Sequence, residues 1–163
     1  MTDLIINEKY WSITNILSIS TDDMKKVFQY LKYDNPDIIC LSDKCYLITE
    51  SVRTYFSADY LLDKDNCEKY TADMISASKQ LADEAKKKTD SVYDRELYIH
   101  DYIVNCCTYG SCNLDSTAYG CLINSQAVCT GYAYSAMLAL NFAGIETVVI
   151  PGKATSDKKT ELH

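Results

Sequence analysis

The sequence predicts an α+β protein in which helices predominate. Three stretches carry that prediction. Apolar residues recur with helical period across Asp63–Lys88, the stretch from Cys129 to Phe142 is apolar nearly all round, and Glu146–Ile150 is β-branched and closed by the turn formers Pro151 and Gly152. The first pattern gives a helix with one buried face, the second a helix buried in the middle of a domain, and the third a strand.

Taken in order, residues 1–20 show no clear period and are read as a helix or a strand. Thr21 then supplies an N-cap hydroxyl with Asp22 and Asp23 in the first turn. Met24, Val27, Phe28 and Leu31 give that helix one apolar face, and Asn35-Pro36 stops it. Ile38–Leu41 and Cys45–Ile48 read as two short strands around Ser42, Asp43 and Lys44, with Val52–Phe56 as a third strand of a small meander. In the long helix Met74, Ile75, Ser78, Leu81, Ala82 and Ala85 share a face, and Lys86, Lys87 and Lys88 complement its C-terminal dipole as a solvated end. Asp90-Ser91 caps the next helix, Ser91 and Asp94 having capping-box spacing, with Val92, Ile99, Ile103 and Cys106 as its buried face. Thr108–Ser116 is a polar loop. Gly144 is placed to cap the apolar helix at its C-terminus, Lys153–Thr160 is a polar loop, and Glu161–His163 begins a second strand.

Composition narrows the function. At 163 residues and 18.4 kDa, with 47% apolar residues, the chain accommodates one domain with room for a small N-terminal addition. A net charge of -7 argues against a nucleic-acid backbone or an anionic membrane as main partner. No apolar run is long enough to predict membrane insertion. The start lacks a basic n-region and an apolar h-region, so the chain as given reads as soluble; a removed signal would look the same, and the compartment stays open.

Eight cysteines stand at 40, 45, 67, 106, 107, 112, 121 and 129. None form a C-x-x-C pair and the histidines are His100 and His163, so no metal and no cofactor is expected. Cys40 and Cys45 have the spacing to face each other across a short turn, while the plain reading makes most of the cysteines small buried residues in a reducing compartment. Cys129 is the exception. It stands where an irregular loop becomes the buried helix, among backbone N–H groups with no intrahelical partner and in the positive field of the dipole. Such a setting lowers a thiol's pKa and favours a nucleophile. A cysteine nucleophile also needs a base within reach and a group to orient it. His100 lies mid-helix between Ile99 and Asp101 and reads as a packing or surface residue.

Ala118-Tyr119-Gly120-Cys121-Leu122, then Val128-Cys129-Thr130-Gly131-Tyr132-Ala133, then Gly144-Ile145 and Val148–Gly152 resemble the core of the bacterial transglutaminase-like superfamily. Leu97–Tyr102 resembles the helix before the family's catalytic loop, and Tyr33–Asp37 a short segment that precedes the core, so the resemblance covers about residues 28–163. It implies a papain-like Cys-His-Asp fold in which a buried Cys-bearing helix lies against the start of an antiparallel sheet. The domains become an N-terminal segment, 1–62, and a partial core, 63–163. It also implies Cys129 as nucleophile, His163 as general base and the Cys129 backbone N–H as an oxyanion donor. Tyr119 is either a second donor or a buried ring packing on the helix.

Thr130 stands where the family more often has glutamate, and Ala127 where glycine is frequent. The family's remaining strands and triad aspartate would follow His163, so the expectation is a fragment of a longer protein or a degenerate copy. The implied activity is a cysteine-dependent hydrolase or acyl-transferase acting on protein or peptide amides. The alternative is a catalytically inactive peptide- or protein-binding module of the same fold, and a third reading is a disulfide-stapled domain with few free thiols. Calcium is not implied, since no acidic ligand cluster is visible. Substrate, acyl acceptor and oligomeric state stay open.

Overall fold

The computed structural model describes residues 11–13, 20–50, 53–156 and 159–162, and side-chain surroundings within 20–48 and 56–152. The chain divides into two units, Met1–Glu68 and Lys69–His163.

In the first unit, β1 (Trp11–Ile13) is followed by α1 (Thr21–Asp34), β2 (Leu41–Glu50) and β3 (Arg53–Tyr60). The strands form an antiparallel sheet in the order β1-β3-β2. The α1 cap is Ser20, one residue before the expected Thr21: its hydroxyl accepts the Asp23 N–H at 3.1 Å. The apolar stripe of α1 is narrower than its spacing predicts. Met24 and Phe28 are buried, the Phe28 ring 5.4 Å from that of Phe56, but Val27 is exposed.

The two short strands expected around Ser42–Lys44 are one strand. The register slips between Leu41↔Tyr60 and Cys45↔Ala58, so these residues bulge without reversing the chain. The Lys44 N–H donating to Ser42 Oγ at 3.0 Å is local chemistry that bulges share with turns. The third strand begins at Arg53; Val52 lies outside the described residues. Cys40 is bonded to Cys67, 27 residues on, with the Cα atoms 5.6 Å apart, and Cys45 is free, which corrects the Cys40–Cys45 pairing and, for Cys40 and Cys67 alone, the reading as reduced thiols.

Helix α2 (Lys64–Lys88) starts in this unit and runs into the second. The Asp63 carboxylate accepts the Asn66 N–H (2.9 Å) and side-chain amide (2.7 Å), bonds that hold its pKa below the usual range. Met74, Ser78, Leu81, Ala82 and Ala85 are buried as the periodicity predicts, Ser78 returning its hydroxyl to Met74 O at 2.9 Å. At the basic end Lys88 Nζ lies 4.2 Å from the Tyr98 ring centroid, so this lysine is partly engaged rather than simply solvated.

The second unit continues with α3 (Val92–Cys106), β4 (Thr108–Tyr109), α4 (Ala118–Leu122), β5 (Gln126–Ala127), α5 (Cys129–Phe142), β6 (Lys153–Ser156) and β7 (Lys159–Leu162). Ser91 caps α3 by accepting the Asp94 N–H at 3.3 Å; Ile99 and Ile103 are buried, while Val92 is exposed. Leu81, Ala82, Ala85, Ile99, Ile103, Cys107, Cys121 and Ala139 form one core, built by α2, α3, α4 and α5. Helix α5 ends in a Schellman motif. The Ile145 N–H bonds Leu140 O (2.9 Å), the Gly144 N–H bonds Asn141 O (3.1 Å), and Gly144 takes φ +83°.

Two strand expectations need correction. Glu146–Ile150 has no ladder partner among the described residues; its exposure alternates, with Val148 and Ile150 facing solvent. Lys153–Thr160, expected as a loop, holds most of an antiparallel hairpin in which Lys153 pairs with Leu162. The ladder that leads into α5 is instead β4 with β5, and it is parallel.

Candidate active site

Cys129 is the first residue of α5, reached through the extended Val128. Its entry is fixed from two sides. Thr108 and Tyr109 pair with Gln126 and Ala127, and the Gly110 N–H donates to Ala127 O at 3.0 Å. On the other side the loop before α4 lies against the helix start, where Asp115 O accepts the Val128 N–H at 3.1 Å. Leu114 is held in the left-handed region, φ 64°, although buried, a conformation that costs about 1 kcal/mol outside glycine. Thr117 offsets part of this. Its hydroxyl donates to Leu114 O (2.7 Å) and accepts the Gly120 N–H (3.3 Å), so one side chain closes the loop and caps α4.

The loop comes so close that Gly131, in the first turn of α5, has no room for a side chain. A Cβ there would stand 2.8 Å from Ala127 Cβ and 2.9 Å from Thr117 O, and closer still to Asp115 O. Gly120 is closed in the same way by the backbone of Leu114 and Asp115. Both glycines stand inside the motifs that carry the family resemblance, but the reason for them is this wrap. Thr117 and Leu114 carried no local signal, and the expected loop at 108–116 hid β4.

The free thiols differ in surroundings. Burial raises the pKa of Cys45, Cys106, Cys112 and Cys121, the last to about 12. Cys106 and Cys112 also donate to carbonyls, Cys112 to Gln126 O at 3.1 Å. Cys129 is half-buried, and its Sγ lies 3.9 Å from the Thr130 hydroxyl. It stands among the first N–H groups of a 14-residue helix, which have no intrahelical acceptors.

Tyr119 is the second residue of α4, its ring stacked on Tyr70 at 4.7 Å. Burial, with smaller contributions from Tyr70 and Asp73, raises its pKa and keeps the phenol neutral. Tyr132, one turn after Cys129, donates its hydroxyl to Cys107 O at 2.7 Å and stacks on Tyr109 at 6.2 Å. Its hydrogen bonding with Cys107, together with burial, pushes its pKa up to about 12. His163 follows β7 directly and lies outside the described residues. His100 is exposed on α3 with Nδ1 3.0 Å from Asp101 Oδ1, the surface pair expected of it. Among the described residues no group of three or more His, Cys, Asp or Glu side chains is arranged to hold a metal ion, and no helix is long and apolar enough to cross a membrane.

Cys129 thus opens a buried helix and is clasped by the loop that leads into it. The sequence profile of the transglutaminase-like superfamily matches residues 79–160, half of the chain, and the protein belongs to that superfamily, one of cysteine-dependent acyltransferases and proteases. The match takes in α3, the wrap, Cys129 and α5; Tyr33–Asp37 and His163 lie outside it. No curated protein matches the chain.

Proposed function

We propose that the protein is a cysteine-dependent hydrolase or acyl-transferase acting on protein or peptide amides through a papain-like site, with Cys129 as nucleophile. The observation that carries this is the placing of Cys129. Among the free thiols it is the one that opens a buried helix within the family match, while four of the others are held towards the neutral thiol by burial. Sγ attacks the amide carbonyl, and the thiol proton passes to the His163 imidazole, the base by family position. The C–N bond then breaks, the imidazole returns the proton to the leaving amine, and a thioester remains. Water or a second amine completes the turnover. The Cys129 backbone N–H, with no helical acceptor, stabilises the oxyanion.

The test is site-resolved alkylation. Iodoacetamide at near-neutral pH should label Cys129 at least tenfold faster than Cys45, Cys106 or Cys112, and a Cys129→Ala protein should form no thioester with glutaminyl peptides. Equal labelling rates would sink the nucleophile assignment. Tyr119→Phe keeps the stack on Tyr70 and removes the hydroxyl. Lost turnover in that variant gives the phenol a place in the oxyanion hole, and unchanged turnover leaves it a packing residue.

A further inference from the structure

We propose that Tyr109, backed by Tyr132, forms the aromatic wall of a substrate subsite beside the Cys129 thiol, one that takes an aromatic side chain of a peptide substrate. The proposal rests on the reading of Cys129 as nucleophile and adds what the site selects.

The placing of Tyr109 follows from two contacts and one spacing. Its backbone pairs with Ala127, two residues before Cys129, in the parallel ladder that delivers the chain to the helix start. Its ring stacks on Tyr132 at 6.2 Å with the planes 23° apart. Tyr132 is three residues after Cys129 on α5, and side chains at that spacing are neighbours on a helix, about 5–6 Å apart at Cβ. Helix spacing thus sets the Cys129 position beside Tyr132, and the stack carries the line on to Tyr109.

The line of rings is held in place but not covered. Tyr132 is fixed at both ends, by its place in the helix and by its hydroxyl on Cys107 O at 2.7 Å. Tyr109 is fixed by the ladder and the stack, yet is 65% exposed. The ring is offset against Tyr132, and most of its surface meets solvent. An ordered ring with open surface next to a reactive atom loses little entropy when it binds, and a second ring is the group that gains most from stacking on it. The contrast within the unit is Tyr119, whose ring is half-buried against Tyr70.

The probes are two N-blocked amino-acid chloromethyl ketones, phenylalanyl and glycyl. In each, Sγ displaces chloride from the methylene carbon, forming C–S, breaking C–Cl and releasing one proton. The readout is the ratio of their labelling rates at Cys129 on one protein sample, which cancels any change in the thiol itself. Wild type should favour the phenylalanyl reagent by about fivefold or more, the size of one added aromatic contact. Tyr109→Ala should bring the ratio close to that set by reagent reactivity alone, and Tyr109→Phe should keep the preference. A wild-type ratio showing no preference overturns the proposal whatever the variants do to folding, as does a Tyr109→Ala ratio equal to wild type. Failure of the underlying reading looks different: iodoacetamide would then label wild-type Cys129 no faster than the other free thiols, and both readings fall together.

Discussion

Gly131→Ala tests whether the approach loop is clamped to the start of α5. In an open helix the change would stabilise by about 1 kcal/mol, since alanine is the better helix former. Here the added methyl meets Ala127 Cβ at 2.8 Å, Thr117 O at 2.9 Å and Asp115 O closer still. Two of the three partners are backbone carbonyls and cannot rotate away. Overpacking of this kind costs about 1–3 kcal/mol. Moving Asp115 O also strains its bond from the Val128 N–H, 3.1 Å in length, worth about 1 kcal/mol. The net expectation is a loss of about 1–3 kcal/mol, a fall of about 2–12 °C in thermal midpoint for a chain of this size, read by far-UV circular dichroism. Because the loop also sets the entry to Cys129, the alkylation rate at Cys129 should change in the same variant. A Gly131→Ala protein as stable as wild type, or more so, would refute the clamp.

Two further perturbations address other parts of the chain. Burial lifts the Cys121 thiol from 9.0 to about 12, so the native state keeps a proton that the unfolded chain loses first. That stability is complete below about pH 9 and declines as pH rises towards 12, by about 1.4 kcal/mol per pH unit at most. Urea midpoints measured at pH 8, 9.5 and 10.5 should fall, and Cys121→Ala should flatten the trend; a level series in wild type contradicts the burial argument. The Cys40–Cys67 bridge closes a loop of 27-residue separation, which by loop entropy stabilises the first unit by about 3.5 kcal/mol. Unfolded, unreduced protein should titrate six thiols, and dithiothreitol should expose all eight and lower the midpoint; eight without reductant would remove the bridge.

The local features of the helices are legible in the sequence. The buried face of α2, the Ser91 cap, the limits of α5 and Gly144 beyond its end all follow from spacing and end chemistry within one helix. Ser42–Lys44 shows the limit of that approach. Turn residues mark a local departure from the strand, but whether the chain reverses or bulges depends on the partner strand. Glu146–Ile150 shows it again, since β-branched composition states a preference for a pleated surface and cannot supply the neighbour that makes a ladder.

For the candidate site, the sequence by itself determined the helix that Cys129 opens: the apolar residues that bury α5, and the ordered motifs that carry the family. Only the tertiary structure decided what holds that thiol in place. The β4–β5 pairing joins residues 18 apart, the Leu114 turn depends on Thr117, and Gly131 is small because a loop crosses it. The Cys40–Cys67 bridge is of the same kind. Helical period and capping are properties of a few consecutive residues and are written in their order. Close approach, non-local pairing and cross-linking are properties of residues that folding brings together, and no short stretch of chain contains them.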